Sequence, residues 1–321
     1  MKLNQISTGV GAQSSDALRN LAVAEFMAKC PLSNWLEFYS ITGNADTPRM
    51  KDGDITAGNV RALNASYVGV TGTPQFGAVA LKIYGDMIYT DIALERRGQD
   101  IGSQRVLQLT NFAGSLGRYF MDVFLNSEID ASNIAGLKQQ IDAIGRKTVY
   151  GSVNGDYLPT GNASADRKKQ DAFIEALDAQ INGIDGGPDV LLMNGAMIAR
   201  LGTVGRAFIS TTLVQDVYSI QHSVTNYKGI PIVNAGYKAN NSGLVIPSDE
   251  TEGNKSDCTS IYLIKFGEAQ DVSMATNVGM DVRDLGVVGT AYNTLFEFDI
   301  DLAILNSKAV SRLSGIRIAE S

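Results

Sequence analysis

One histidine, two cysteines, one tryptophan and seven prolines among 321 residues leave this chain few of the side chains that usually carry chemistry. Cys30 and Cys258 are too few and too far apart for a disulfide framework or a zinc site, which points to a reducing compartment or indifference to one. His222 sits in Ser219-Ile220-Gln221-His222-Ser223-Val224, a polar and apolar mix that reads as a strand or its edge. A triad or metal site needs an imidazole placed by a partner, so His222 is assigned a structural or surface role. No HExxH, CxxC, GxSxG or Walker-type glycine loop occurs. Gly9-Val10-Gly11 lacks a preceding strand, and Asp189–Met193 runs into Asn194-Gly195 without the GxGxxG that cradles a pyrophosphate. No window approaches the roughly 18 apolar residues that cross a bilayer. Met1 to Gly11 has one lysine and no apolar run, so no secretion signal is expected there. A basic face is missing too: 27 basic against 34 acidic residues give a net charge of −7. The longest basic cluster, Arg167-Lys168-Lys169, lies beside Asp166 and Asp171 and reads as a solvated helix face, which disfavours sequence-specific nucleic-acid binding. The expected catalytic, metal and cofactor residues are therefore none.

What is present is enough apolar sequence for a core, 44% of the chain, and length for about two domains. Ser14 to Cys30 reads as a short amphipathic helix with Leu18, Leu21, Ala22, Phe26 and Met27 on one stripe, stopped by Pro31. It is either a core helix or an arm lying on a neighbour. Trp35, Leu36, Phe38 and Tyr39 follow as a packing cluster. Ser103 to Ser127 reads as one long helix, with Leu109, Phe112, Ala113, Leu116, Phe120, Val123 and Phe124 recurring at three and four; it spans about 37 Å. Gly114 and Gly117 weaken it or allow close packing. A second helix runs from Ala165 to Asn182, closed by Gly183. Next come a strand (Asp189–Met193), a helix (Ala196–Leu201) and strands near Gly229–Val233 and Ser260–Phe266. Lys238 to Asp257 is polar and reads as an exposed loop. The fold class is α+β.

Two segments ask for a partner. Asp54 to Thr90 has turn chemistry at Gly72-Thr73-Pro74 with β-favouring residues on either side, among them Val60, Tyr67, Val68, Val70, Val79, Leu81, Ile83, Ile88 and Tyr89. It reads as a two-stranded hairpin whose arms, about 17 residues each, would reach some 55 Å. Small and polar residues on both faces of its first arm leave it without an apolar side, so it is expected to lean on something outside its own domain. The other segment is Phe296 to Leu302. Strict alternation puts Phe296, Phe298, Ile300 and Leu302 on one face and Glu297, Asp299 and Asp301 on the other. The carboxylate row has three readings: a solvated sheet face, a charged contact between subunits, or a metal or acid/base site.

The ordered series of motifs resembles the tailed-bacteriophage major capsid proteins of the Hong Kong 97 type. The matching stretches begin with Ala80-Leu81-Lys82-Ile83-Tyr84-Gly85 and the strand to Arg97, then Gly98-Gln99-Asp100 leading into the long helix. Gly136-Leu137-Lys138, Gly187-Pro188-Asp189 to Asn194 and Tyr227-Lys228-Gly229 to Val233 come next. Thr259-Ser260-Ile261-Tyr262 to Glu268, Val282-Arg283-Asp284-Leu285-Gly286 and Leu302 to Ile316 complete it. The resemblance covers about 77 to 318; the first 50 residues match by position only. It implies an N-terminal arm (1–30), a peripheral domain with a spine helix (31–51, 85–159, 267–307), an extended hairpin or E-loop (52–84) and an axial domain (160–266, 308–321). It also implies a shell subunit of hexamers and pentamers around double-stranded DNA, in a virion assembled in the host bacterial cytoplasm. The partners implied are the chain itself, a separate scaffolding protein, since no scaffolding stretch precedes the arm, a portal, a decoration protein, and packaged DNA contacted non-specifically, with no membrane. An encapsulin-like compartment is the alternative within the fold, and a soluble α/β enzyme the alternative outside it. Asp52 to Leu81 contains no lysine, so a covalent cross-link from the hairpin is not expected. The expected contact residues between subunits are Val60, Arg61, Tyr67, Val68, Val70, Phe76, Arg96, Arg97, Glu297, Asp299 and Asp301.

Overall fold

The computed structural model describes residues 17–52, 60–67, 69, 74–97, 101–130, 132–150, 162–215, 221–253 and 255–318. In chain order the elements begin with α1 (Ala17–Lys29), β1 (Phe38–Ser40), β2 (Ala45–Asp46), β3 (Val79–Ala80), β4 (Lys82–Asp91), α2 (Ala93–Arg96), α3 (Ile101–Asn126), α4 (Leu137–Ala143) and β5 (Lys147–Val149). They continue with α5 (Ala163–Asn182), β6 (Val190–Met193), α6 (Gly195–Val204), β7 (Ile209–Gln215), β8 (Gln221–Tyr227), β9 (Ile230–Asn234) and β10 (Glu250–Glu252). The last five strands are β11 (Lys255–Ile264), β12 (Val272–Thr276), β13 (Met280–Val288), β14 (Ala291–Ile304) and β15 (Val310–Arg317).

Two sheets organise the molecule. In one, β14 pairs with β12 and β13 along one edge and with β4 along the other, and β1 closes the β12 side in parallel. In the other the order is β5-β15-β11-β6-β9-β8-β7, with β10 added to β11. The expected alternation of β14 holds. Phe296, Phe298, Ile300 and Leu302 are buried, and Glu297, Asp299 and Asp301 lie on the half-exposed face. Helices α1 and α3 cover the buried face. Phe26 stacks on Phe296 at 5.4 Å between ring centroids and meets Phe120 edge-on at 5.6 Å. Tyr84 of β4 donates its hydroxyl to the Leu116 carbonyl of α3.

Of the two readings of the first helix, the core helix is the one seen. Ala22 and Phe26 are fully buried against α3. Gly117 is what lets the helices touch, because a Cβ there would collide with the Phe26 carbonyl. The α3 stripe Leu109, Ala113, Leu116, Phe120 and Phe124 is buried as its periodicity demands. In the second sheet β6 is buried on both faces, as expected of a strand covered from both sides. Phe173 and Leu177 of α5 and Met197 and Leu201 of α6 cover one face. Val190, Leu192, Tyr262 and Val310 on the other face join the core beneath α3.

The stretch 238–257 departs from the exposed loop expected of its composition. It supplies β10 and the start of β11, and Val245 and Ile246 are buried. Leu244-Val245-Ile246, a single short apolar step in a polar run, gave no periodicity to read.

Candidate functional site

The hairpin exists, but its ladder is shifted. The first arm expected from 54 onward is not a strand at 60–67. The paired stem lies closer to the body, where Ala45 and Asp46 face Ala80 and Val79 and Arg49 faces Phe76. Met50 N–H donates to the Gln75 carbonyl at 2.8 Å, and Gly77 N–H to the Pro48 carbonyl at 2.9 Å. The second arm is claimed by the sheet, since β4 from Lys82 to Asp91 pairs with β14. The physical reason is burial: β4 offers Tyr84 to the core under α3, whereas the small and polar first arm offers nothing comparable.

The outgoing chain of the projecting segment is fastened to the turn between β14 and β15, and the returning chain to β14 itself. Lys51 N–H donates to the Leu305 carbonyl at 2.7 Å, and its ammonium lies 3.1 Å from buried Asp271. Asn306 Nδ2 donates to the same Asp271 oxygen at 2.7 Å. Asp52 accepts from the Ser307 backbone N–H at 2.9 Å and from its hydroxyl at 2.7 Å. On the returning chain, Asp301 accepts from Ala80 N–H at 2.8 Å. The pairs that tie the segment to the body are separated by 220 to 255 residues, so no local pattern announced them.

Beyond that stem Val60, Leu63 and Tyr67 are exposed, as is Phe76 within it, and Arg61 lies 5.3 Å over the Tyr67 ring while donating to the Ala65 carbonyl. Val68 and Val70 lie outside the described residues. The carboxylate row takes local partners: Asp299 accepts from Asn277 Nδ2 at 3.1 Å, and Asp301 also accepts from Leu302 N–H. Burial pushes the Asp301 carboxyl up, against the pull of the Ala80 and Leu302 amides and of Lys82. Arg96 ends α2 and Arg97 follows it, exposed. The register sets them at the Asp91↔Ala291 end of the sheet, whereas Asp299 is paired with Ile83 at the other end. Within one copy, then, the register sets the backbone of these arginines at the opposite end of the sheet from the carboxylates.

The sequence reading missed a buried ionic cluster. Arg312 of β15, its side chain 3% exposed, donates to Asp142 of α4 at 3.2 Å and to Glu250 of β10 at 3.1 Å. It also donates to Ser260 and lies 5.4 Å over the Tyr262 ring. Burial works against its charge, but Tyr262, Glu250 and Asp142 hold its proton more tightly than usual. Lys138 adds a second cation to Glu250 at 3.5 Å. This cluster of two cations and two carboxylates ties α4, β10, β11 and β15 together.

His222 falls in β8, opposite Val214. Among the described residues no three His, Cys, Asp or Glu are grouped to hold a metal, and no helix is long and apolar enough to cross a membrane. Cys30 is fully buried, and burial pushes its thiol up to about 12, which makes it a poor nucleophile.

No family model matches the chain, and no curated protein matches it in sequence. Solved structures do. The holo-SrpI encapsulin complex of Synechococcus elongatus is similar over 100% of this chain and 97% of its own, with a TM-score of 0.57 at 15% identity. The capsid of a native GTA particle matches over 96% of this chain and 94% of its own, with a TM-score of 0.56 at 12% identity. The Mycobacterium phage Bobi structure matches over 91% of both chains, with a TM-score of 0.54 at 9% identity. The chain has the Hong Kong 97-type capsid fold. Its neighbours in the Hong Kong 97-type fold are structural shell proteins, not enzymes. In that fold the long helix α3 is the spine, and the segment fastened at Lys51, Asp52 and Ala80 is the extended loop.

Proposed function

We propose that the chain is the major capsid protein of a tailed phage, assembling as hexamers and pentamers into an icosahedral shell around double-stranded DNA. The observation that carries this reading is the extended loop: a segment anchored at both ends by buried or charged groups, with Val60, Leu63 and Tyr67 exposed at its far part. A fastened segment with uncovered apolar residues is built to be covered by another molecule. In a closed shell that molecule is the next copy, and Val60, Arg61, Tyr67, Val68, Val70 and Phe76 are its contact residues. The domain map of arm, peripheral domain, extended loop and axial domain is part of the same reading, with the helix α1 of the arm packed on α3 of its own copy. So are a separate scaffolding protein, a portal and a decoration protein. The net charge of −7 suits a lumen that does not grip DNA tightly.

The encapsulin-like compartment is the second reading, favoured by the end-to-end match to the SrpI encapsulin complex. Electron micrographs of the purified assembly separate the two: DNA-filled tailed heads against tailless shells filled with protein. A small oligomer with no closed particle would sink both. Replacing Val60 to Phe76 by a short Gly/Ser turn tests the loop. The monomer should unfold at an almost unchanged temperature while closed shells disappear; unfolding of the monomer would place the loop in the core instead.

A further inference from the structure

Strands β7 and β8 form a ladder of seven residue pairs, from Ile209↔Tyr227 to Gln215↔Gln221, with no register shift. β8 is joined to β9 only at Asn226 and Tyr227. Among the described residues the outer edge of β7 is therefore bare along its length, and that of β8 is bare from 221 to 225. The root of this ribbon is firmly held: Tyr227 is buried and its hydroxyl donates to Asp178 of α5 at 2.9 Å. Lys228 donates to the same carboxylate at 2.6 Å and lies over the Phe208 ring.

A bare two-stranded ribbon is marginal in water, and natural proteins blunt such edges with lysine, proline or bulges. None of these protects β7. The 21 residues from 207 to 227 carry one formal charge, Asp216, where a chain that is 19% charged would place about four. Ser210, Thr211, Thr212, Leu213 and Ser223 are exposed. Asn226, 3% exposed, donates to Thr212, and its carbonyl oxygen has no partner among the described residues.

Neutrality identifies the occupant. Where identical segments crowd around a rotation axis, any charge meets its own copies, so an uncharged polar ribbon is what a self-contact requires. A ring also needs two different edges that complement each other, head to tail. The ribbon has two such edges. From this we infer that the β7 edge of one copy pairs with the free stretch of β8 on the next, so that the ribbons of a capsomer close into a collar of strands around its axis. Closure removes every bare edge at once. The inference rests on the shell reading and adds which element makes the axial contact.

The test uses full-length chains. Thr211→Cys is co-assembled in turn with Gln221→Cys, Ser223→Cys and Thr225→Cys and oxidised to disulfides, because a disulfide joins neighbouring strands but not strands two apart, and the three partners cover a shift of register. Linked dimers are expected from a mixture and only monomers from either variant alone; Cys30 and Cys258 are buried and stay silent. Leu213→Lys should abolish closed particles while leaving the free subunit's thermal unfolding where it was. If wild-type chains form no closed shell, the shell reading falls and takes this inference with it. If shells form but no mixture gives a linked dimer, or a variant alone gives one, the collar is wrong and the shell reading stands.

Discussion

Arg312 is the residue whose loss should cost the isolated subunit most, because three elements meet on its guanidinium. Removing one partner of a buried ion pair costs about 3–5 kcal/mol, mainly through the charge left unpaired. Asp142 is 40% exposed and can turn to water, so Arg312→Ala should sit near about 3 kcal/mol in urea denaturation of the subunit. A change within the few tenths typical of surface sites would show that the cluster is solvated. Asp301 gives a pH signature. Its folded pKa lies above the unfolded value of 3.8, so between the two the folded state binds the extra proton. The penalty for the buried carboxylate is absent below 3.8 and grows as pH rises through the folded pKa. Asp301→Asn should therefore gain stability relative to wild type as pH is raised from about 3.8 toward neutrality. A stability difference independent of pH would show that Asp301 titrates normally.

Among the elements, the α1–α3 crossing is set by a single absent side chain. Gly117→Val pushes a branched group into the Phe26 carbonyl, and overpacking of this kind costs about 1–3 kcal/mol. Lost α1 protection in hydrogen exchange, with the β6–β11 core unchanged, is the expected pattern. Uniform loss across both sheets would mean that the helix pair and the sheets unfold as one unit. The extended loop shows why elements were unequally legible. The helix α3 declared itself through a stripe that must be buried. Residues 54–66 alternate without an apolar side, and their pairing had to be decided by competition. Sheet strand β14 offered the returning arm, through Tyr84, a buried place that the first arm could not match.

For the whole molecule, the proposed shell puts the decisive contacts between copies. Glu297 and Asp299 remain half-exposed beside Ile83, which is 73% exposed, and within one copy Arg96 and Arg97 lie at the far end of the sheet. Acidic rows and basic residues at opposite ends of one sheet suit a charged contact between neighbouring copies. Asp299→Lys should leave a folded subunit with unchanged thermal unfolding and a reduced yield of particles. Wild-type yield would make the row a solvated face.

By itself the sequence determined the features that depend on composition and period. With one histidine and two distant cysteines it excluded most catalytic sites, and its 3.6-residue stripe and two-residue alternation placed α3 and β14 with the correct faces inward. The tertiary structure decided whatever depends on residues that meet across hundreds of positions. Arg312 joins Asp142 and Glu250, Asp52 caps Ser307, and β4 pairs with β14. It also decided that, among the described residues, the bare ribbon is β7–β8, because an edge is bare only once the other strands have found their partners. Periodicity reports which side of an element faces a core. It carries no information about which distant partner supplies that core, since that choice is made by burial and hydrogen-bond satisfaction summed over the whole chain.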